Sequence, residues 1–386
     1  MDVSDLTVEV RDKDLNRLGQ VLYEDLTLQA AEQFNNVGIW TLTLPYDHPL
    51  APALRAPGGG IIVTGPNDVL FSGPMVDYTS VSSKSDPAGT LTVDGVTDSV
   101  VLADMLALPD PTNFNPATQT LSHDTRTGPA ETLLHAYVNA NIGPLAPSPR
   151  RKANLVMGAN LARGPLVTKS ARFPQIGDLL SEIAVLGQLG FRVVQRGPNL
   201  VFETRLIQDR SLDIRLDVYN NTLASQQVKV GAPTATVVIV AGQGDLTARQ
   251  FYAGTTPESI ASEASWGRRI ERFVDQRQTN DTTQHVQAAN EVLVANGYTQ
   301  VAVQIEPTDD STMRFSYEWF MGDRVAIVLF GQEVSAVCSG YKLLVDSTGT
   351  RLGVTIGDTS NFHRSEAQRR RLDSTTYRIS ALERAR

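Results

Sequence analysis

The chain contains almost no cysteine: Cys338 is the single thiol among 386 residues. One thiol can build neither a disulfide framework nor a multi-thiolate metal site, so the sequence excludes both. Cys338 stands in an apolar, strand-like stretch, which predicts a buried small hydrophobic residue rather than a reactive nucleophile.

Histidine is also scarce, and its positions are scattered. The five histidines are His48, His123, His135, His285 and His363. No two of them stand four residues apart, so the paired helical ligands of a zinc hydrolase are absent. We therefore predict no metal site, because a ligand set needs several such groups to converge.

The sequence lacks an excess of basic charge. Lys and Arg number 34 against 42 Asp and Glu, which gives a formal net charge of −8. A dedicated nucleic-acid-binding protein carries a basic footprint, so this balance argues against that class. It still allows a surface that DNA passes, because acidic groups repel phosphates and limit adhesion.

Long apolar runs are missing as well. The longest candidate, Thr236 to Ala241, is strand-sized, whereas a membrane span needs roughly 18 residues. The start of the chain, Met1 to Asp5, is acidic and unlike a secretory signal. The sequence thus predicts a soluble protein that is made in a host cytoplasm and does not insert into membranes.

The common catalytic signatures are absent. The sequence has no Gly-x-Ser-x-Gly elbow and no phosphate-binding loop. Gly242 and Gly244 follow an apolar strand, but Thr247 stands where a dinucleotide turn needs its third glycine, so we predict a strand-ending turn. Acidic pairs such as Glu24-Asp25 and Asp309-Asp310 could serve a glycosidase, yet nothing in the sequence sets their separation. We predict no catalytic residue and no cofactor.

What the sequence does contain is regular alternation. Hydrophobic residues make up 41% of the chain, and in residues 1–105 they alternate with polar residues between turn-forming clusters, which is typical of short strands. Trp40, Leu42 and Leu44 fall in one phase, so they share one strand face and are predicted to lie in a core. Residues 1–105 are therefore predicted to form a small β-barrel.

Residues 106–207 are predicted to form a small α/β domain. Gly128-Pro129 opens one helix, because proline favours the first helical position. A second helix is predicted from Pro174 to Gln188, with Gly190 as its stop. A hairpin follows around Gly197-Pro198-Asn199.

The β pattern returns in residues 208–252 and 308–360, which are predicted to form a second β-barrel. The residues between these ranges, 253–307, contain helix starts at Thr256-Pro257 and at Asp281. They are predicted to be an inserted α/β segment.

The last residues, 361–386, are predicted to be a basic helical tail, with Ile379, Leu382 and Ala385 spaced as an apolar stripe. The predicted fold class is therefore a β-rich α+β protein. It has two small β-barrels, of which the second is split by an insertion, and two small α/β domains.

Several short segments carry a resemblance to a known family. They are Val37-Gly38-Ile39-Trp40-Thr41-Leu42-Thr43-Leu44-Pro45, Asp47-His48-Pro49-Leu50, Gly60-Ile61-Ile62-Val63, Phe71-Ser72-Gly73-Pro74, Trp266-Gly267-Arg268-Arg269-Ile270-Glu271, Phe320-Met321-Gly322-Asp323-Arg324-Val325 and Tyr377-Arg378-Ile379-Ser380-Ala381-Leu382-Glu383. Together they resemble the minor tail or baseplate hub proteins, also called tail-associated proteins, of long-tailed phages that infect actinobacteria. Met321 stands where that family has leucine.

The resemblance implies a homotrimer in which each subunit offers two related barrels, so that six barrels make a pseudo-sixfold ring. Such a ring adapts a hexameric tail tube to a threefold tip and gates the passage of DNA. The expected partners are the distal tail protein ring, the tape measure protein and other tail-tip proteins, with genomic DNA only in passage. The expected location is the distal end of the phage tail in the virion.

The resemblance implies no enzymatic activity. Some hub proteins carry long C-terminal extensions with hydrolase or receptor-binding modules, and this sequence stops at Arg386. Two alternatives remain open: a tail-associated cell-wall hydrolase with paired carboxylates, and a glycan-binding module with exposed aromatic residues. The low aromatic content of 6% makes the glycan-binding alternative the weaker one.

Overall fold

The computed structural model describes residues 6–84, 87–277, 279–308 and 312–357. In these ranges the helices are α1 Ala51–Arg55, α2 Val100–Ala103, α3 Ala130–Asn141, α4 Ile176–Gly187, α5 Pro257–Trp266 and α6 Thr282–Asn296. The strands are β1 Thr7–Arg11, β2 Arg17–Val21, β3 Thr27–Gln33, β4 Ile39–Pro45, β5 Gly60–Thr64, β6 Val69–Val81, β7 Thr90–Val96, β8 Asp124–Pro129, β9 Leu155–Met157, β10 Leu166–Ala171, β11 Leu189–Arg196, β12 Asn199–Leu206, β13 Arg215–Leu216, β14 Leu223–Gly231, β15 Val237–Ala241, β16 Phe251–Gly254, β17 Glu271–Asp275, β18 Gln300–Pro307, β19 Arg324–Leu329, β20 Gln332–Asp346 and β21 Gly349–Gly357.

The chain divides into two compact units. The first is drawn from Met1–Ala224 and Glu306–Val354, and the second from Ser225–Ile305 and the chain after Val354. In the described chain, no helix combines the length and the apolar character that crossing a membrane requires.

The first unit is built on one long antiparallel sheet. Its strands follow the order β2-β1-β5-β6-β7-β4-β3-β20, and β19 pairs with β20. This path does not return on itself, so the described strands form no closed barrel, which corrects the prediction of two small β-barrels. The reason is the pairing of β3 with β20, which places Ala30 opposite Leu343. The edge of the first β region is occupied by a strand from the second region.

The buried face of this sheet follows the predicted alternation. Trp40, Leu42 and Leu44 on β4 are at most 2% exposed, which confirms that they lie in the core. The indole Nε1 of Trp40 donates a hydrogen bond of 3.0 Å to the Val96 carbonyl oxygen. Gly95 lies directly opposite Trp40 on β7, and a Cβ there would come within 2.1 Å of the ring. The tryptophan therefore depends on a glycine across the strand pair.

The α/β segment of the first unit has the two helices that the sequence predicts. Pro129 caps α3, and the stripe on this helix that contains Leu133, Leu134, Tyr137 and Val138 is buried. Helix α4 ends at Gly187, and the next residue, Gln188, adopts a left-handed conformation with φ of 48°, so the predicted stop at Gly190 is wrong. Gly190 instead lies in β11, because this strand begins directly after the left-handed residue. The hairpin of β11 and β12 confirms the predicted pair of strands.

The second unit contains a three-stranded sheet covered by helix α6. Strand β15 pairs with β16 in antiparallel and with β17 in parallel fashion. The boundary expected between residues 252 and 253 falls inside this sheet, because β16 spans Phe251–Gly254. Residues Ala288, Ala289 and Leu293 of α6 pack against Val238 and Val240.

The helix starts in the second unit agree with the sequence. Thr256 and Ser259 form a reciprocal capping box at the start of α5, and Asp281 accepts a hydrogen bond from the Thr283 amide at the start of α6. Such caps satisfy amide groups that a helix leaves free. The predicted helical tail, 361–386, lies outside the described residues.

Trp40→Ala is expected to lower the free energy of unfolding by about 3–5 kcal/mol, as large aromatic truncations in cores do. Chemical denaturation measures the change. Thr43→Ala is the matched control, because Thr43 lies on the other face of the same strand and its loss should cost less than about 1 kcal/mol. Unchanged stability of Trp40→Ala would contradict the core position.

Candidate functional site: a cavity where three segments meet

The turn between β3 and β4 joins three segments of the first unit. Asn35 in this turn has a φ of 58°, a conformation that asparagine tolerates better than most residues. Its side chain accepts a hydrogen bond of 2.7 Å from the Phe191 amide and donates one of 2.9 Å to the Leu189 carbonyl. The turn is thereby fixed to the start of β11.

Phe34 in the same turn packs between two glycines from different segments. A Cβ on Gly190 would come within 2.5 Å of the phenyl ring, and a Cβ on Gly322 within 2.4 Å. Gly322 also has a φ of 90°, which glycine adopts without strain. Both glycines are therefore required for the close approach of the ring to the α/β hairpin and to the turn before β19.

A cavity of about 420 Å³ lies beside Phe34, and we call it the junction cavity. Its lining is mainly aromatic and aliphatic. These side chains are Phe34, Val69, Leu70, Phe191, Phe315, Phe320 and Met321. A volume of this size falls within the range of sites that hold a small group or a side chain.

Arg192, Asp68 and Glu203 form the charged rim of the junction cavity. Arg192 lies 2.9 Å from Asp68 and donates a hydrogen bond of 3.2 Å to Glu203. Arg196 pairs with both carboxylates. Burial alone would raise the pKa of Asp68, but hydrogen bonds from Arg196 and the charge of Arg192 lower it to about 2. Since these side chains are partly exposed, the ion pairs orient the charged groups at the rim but contribute little to the free energy of folding.

A partly buried ion pair includes the lining residue Arg205. Asp323 is fully buried, pairs with Arg205, and lies 3.3 Å from Arg210. Burial lowers the pKa of Arg205, while the charge of Asp323 opposes that change. The adjacent Cys338 is fully buried, and burial raises the pKa of its thiol to about 12. This confirms the prediction that Cys338 is a buried residue.

Glu32 and Tyr341 are directly opposite each other on β3 and β20. Burial raises the pKa of Glu32 to about 8, although the charge of Arg192 acts in the other direction. Tyr341 lines the cavity and is 4% exposed, and its hydroxyl has no hydrogen-bond partner among the described residues. A buried hydroxyl without a partner is destabilising.

The four histidines that the structure describes do not converge on a site. The His135 Nε2 lies 3.1 Å from the Thr204 hydroxyl, and the His285 Nε2 lies 3.1 Å from the Thr279 carbonyl oxygen. Within the described ranges, no three His, Cys, Asp or Glu side chains are grouped to hold a metal ion. Both histidines are satisfied within the fold.

Sequence reasoning did not identify the junction cavity. One signal was present: Glu32 stands in phase with Leu28 and Ala30, so a charged residue occupies a core position of β3. Buried acidic groups with a perturbed pKa often occur at functional sites. Glu32 lies opposite the lining residue Tyr341, and the lining residues themselves come from segments far apart in the chain that no local pattern links.

Glu32→Gln is expected to make the protein more stable at pH 8 and to change little at pH 4. The folded pKa of about 8 lies above the ~4.3 of an unfolded glutamate, so ionisation of wild-type Glu32 reduces stability as the pH rises between these values. Urea unfolding of both proteins at the two pH values gives the difference. Glu24→Gln, at an exposed position, should show none; an equal pH dependence in the Glu32 variant and wild type would contradict the buried neutral carboxyl.

Comparisons with known proteins agree on one kind of fold. The 43 kDa tail protein of prophage MuSo2 from Shewanella oneidensis has a TM-score of 0.56 at 10% identity, covering 92% of this chain and 98% of its own. The tail protein from Neisseria meningitidis MC58 has a TM-score of 0.54 at 14% identity, with coverages of 92% and 96%. Prophage tail protein gp18 from Listeria monocytogenes EGD-e has a TM-score of 0.54 at 11% identity, with coverages of 95% and 98%.

A family model, described as Siphovirus ReqiPepy6 Gp37-like protein, matches residues 7–358. No curated protein matches the chain. The structural likenesses, at such low identity, concern the fold alone, whereas the family match covers most of the chain. The chain belongs to the siphovirus ReqiPepy6 Gp37-like family, and its fold is that of phage tail proteins.

Proposed function

We propose that the chain is a structural hub protein at the distal end of a siphovirus tail, without enzymatic activity. In this proposal three copies form a pseudo-sixfold ring that adapts the tail tube to the tip and gates the passage of DNA. The observation that carries it is the fold, which is shared with tail proteins along almost their whole length. Family membership supports a role in the tail of a siphovirus virion.

The sheet of the first unit suggests how one chain supplies two similar parts of a ring. We assign residues 1–105 to the first hub unit and residues 106–207 to an α/β domain. The second hub unit takes strands from 208–224 and 306–354, and the inserted segment then begins at about residue 225 rather than 253. The pairing of β3 with β20 places the two β regions side by side.

The proposed partners follow from this position in the tail. A ring between tube and tip contacts the distal tail protein ring, the tape measure protein and other tail-tip proteins. Genomic DNA meets it only in passage, which suits a net charge of −8. An actinobacterial host is part of the proposal and rests on the sequence motifs alone.

One surface has the chemistry that a DNA channel needs. The outward face of β4, β7 and β6 consists largely of hydroxyl and carboxylate groups. Its members include Thr41, Thr43, Asp77, Thr79, Thr92 and Asp94. We propose that this face lines the channel, because carboxylates repel phosphates and hydroxyl groups do not hold them as cations would.

Assembly of the purified chain with its neighbouring tail proteins is expected to yield a complex that contains three copies of the chain. A closed threefold ring explains why association stops there, since closed symmetry prevents open polymers. Sedimentation measures the mass. A protein that stays monomeric in every mixture argues against the ring. Cell-wall cleavage or glycan binding by the purified chain would favour the two alternative functions.

Asp77→Lys combined with Thr79→Lys is expected to slow DNA ejection from phage particles, because the two cations bind passing phosphates. The slowing should diminish as salt rises. Glu24→Lys with Gln20→Lys adds the same charge at exposed positions outside this face and is the matched control. Equal ejection rates in both doubly substituted phages would show that the outward face of β4, β7 and β6 does not line the DNA channel.

A further inference from the structure

The hairpin of β19 and β20 presents an exposed phenylalanine at its tip. Phe330 and Gly331 form its two-residue loop with φ values of 49° and 83°, and Phe330 is 87% exposed. Such loops strongly favour Asn-Gly, because both positions need a positive φ. A bulky residue in this conformation is an outlier. Phe330 therefore combines an unfavourable backbone conformation with an exposed aromatic ring. Contacts among the described residues explain neither feature.

Phe330 cannot fill the junction cavity of its own chain along this strand. The cavity is lined by Tyr341, and Gln332 and Tyr341 are both in β20. The nine residue steps from Gln332 to Tyr341 span about 30 Å at roughly 3.4 Å per residue. The hairpin projects away from the cavity, so a contact between the two requires a second copy of the chain.

The junction cavity has the chemistry to receive such a tip. Phe34, Phe315 and Phe320 offer ring faces and edges, and aromatic pairs gain from that packing beyond their buried area. Tyr341 adds a further ring to this lining, with its centroid 5.5 Å from that of Phe315. The cavity of about 420 Å³ is large enough for more than the phenyl ring alone, which suits a hairpin tip.

We propose that the Phe330 tip of one copy inserts into the junction cavity of the next copy. The inference rests on the proposed ring and specifies its contact. Tip and cavity are different surfaces of the same chain, so the interface is heterologous, and three such contacts close a ring. Each subunit then gives one tip and receives one.

The first test substitutes the tip. Phe330→Asn keeps a residue that suits a positive φ, so the hairpin itself should remain folded. The association constant of the ring should fall by at least about 30-fold, as for a buried aromatic anchor. Leu212→Asn is the matched control, because Leu212 is 99% exposed and lies outside the hairpin. Sedimentation measures association, and thermal unfolding checks that both variants fold.

The second test distinguishes the contribution of the tip to association from that of the cavity. Met321→Trp narrows the cavity but leaves the tip, while Phe330→Asn leaves the cavity open. Each variant alone should be monomeric, and their mixture should form dimers, because one competent tip can still meet one competent cavity. A photoreactive phenylalanine analogue at position 330 in assembled tails should cross-link to the segment around Phe320 of a neighbouring copy.

The outcomes distinguish the two proposals. If the wild-type chain forms the ring and Phe330→Asn does so equally well, the tip-in-cavity contact is wrong and the ring stands. Cross-links from position 330 to a different tail protein would also overturn the contact alone. If the wild-type chain stays monomeric both in mixtures and in tails, the ring and the contact fall together.

Discussion

A buried ion pair within the first β region is the centre of a hydrogen-bond network that fixes this region to the α/β segment. Arg11 on β1 meets the Asp98 carboxylate at 2.6 and 2.8 Å, and both side chains are 3% exposed. Ser72 donates to the same carboxylate at 2.6 Å and accepts from the Gln195 amide at 2.8 Å. Arg11 also donates to the Gln195 side chain. A buried charge left without its partner is strongly destabilising, so β1, β6 and β11 cannot separate independently.

The junction cavity depends on this arrangement. Gln195 and Arg192 lie on the same strand, so fixing β11 against β6 also sets the distance between Arg192 and Asp68 across the cavity rim. The cavity walls come from three segments, and each is fixed by a different contact: the buried ion pair, the Asn35 side chain, and the ring of Phe34 between two glycines. A preformed apolar cavity loses little entropy when a side chain enters it, which favours a specific contact over a general apolar surface.

Local patterns predicted the parts of this fold that depend on local physics. Trp40, Leu42 and Leu44 are buried because a strand with one covered face has a period of two. The helices begin at Pro129, Thr256 and Asp281 because those residues satisfy or remove free amide groups. The pairing of Ala30 with Leu343 joins residues far apart in sequence, and nothing in either strand specifies the other. That pairing decides between a closed barrel and an open sheet. The segments that meet around the cavity are likewise far apart in the sequence, so local patterns could not predict the cavity either.

The exposed tip and the unpartnered hydroxyl each carry a free-energy cost. A left-handed conformation costs a residue such as Phe330 on the order of 1–2 kcal/mol, and the exposed ring gains nothing in the free chain. The buried Tyr341 hydroxyl carries a further cost of about 1–3 kcal/mol until it finds a partner. Both costs belong to the isolated subunit, and the proposed contact would bury the exposed ring. Because each copy carries one tip and one cavity, these gains are complete only when the last subunit closes the ring, which favours the closed assembly over its open precursors.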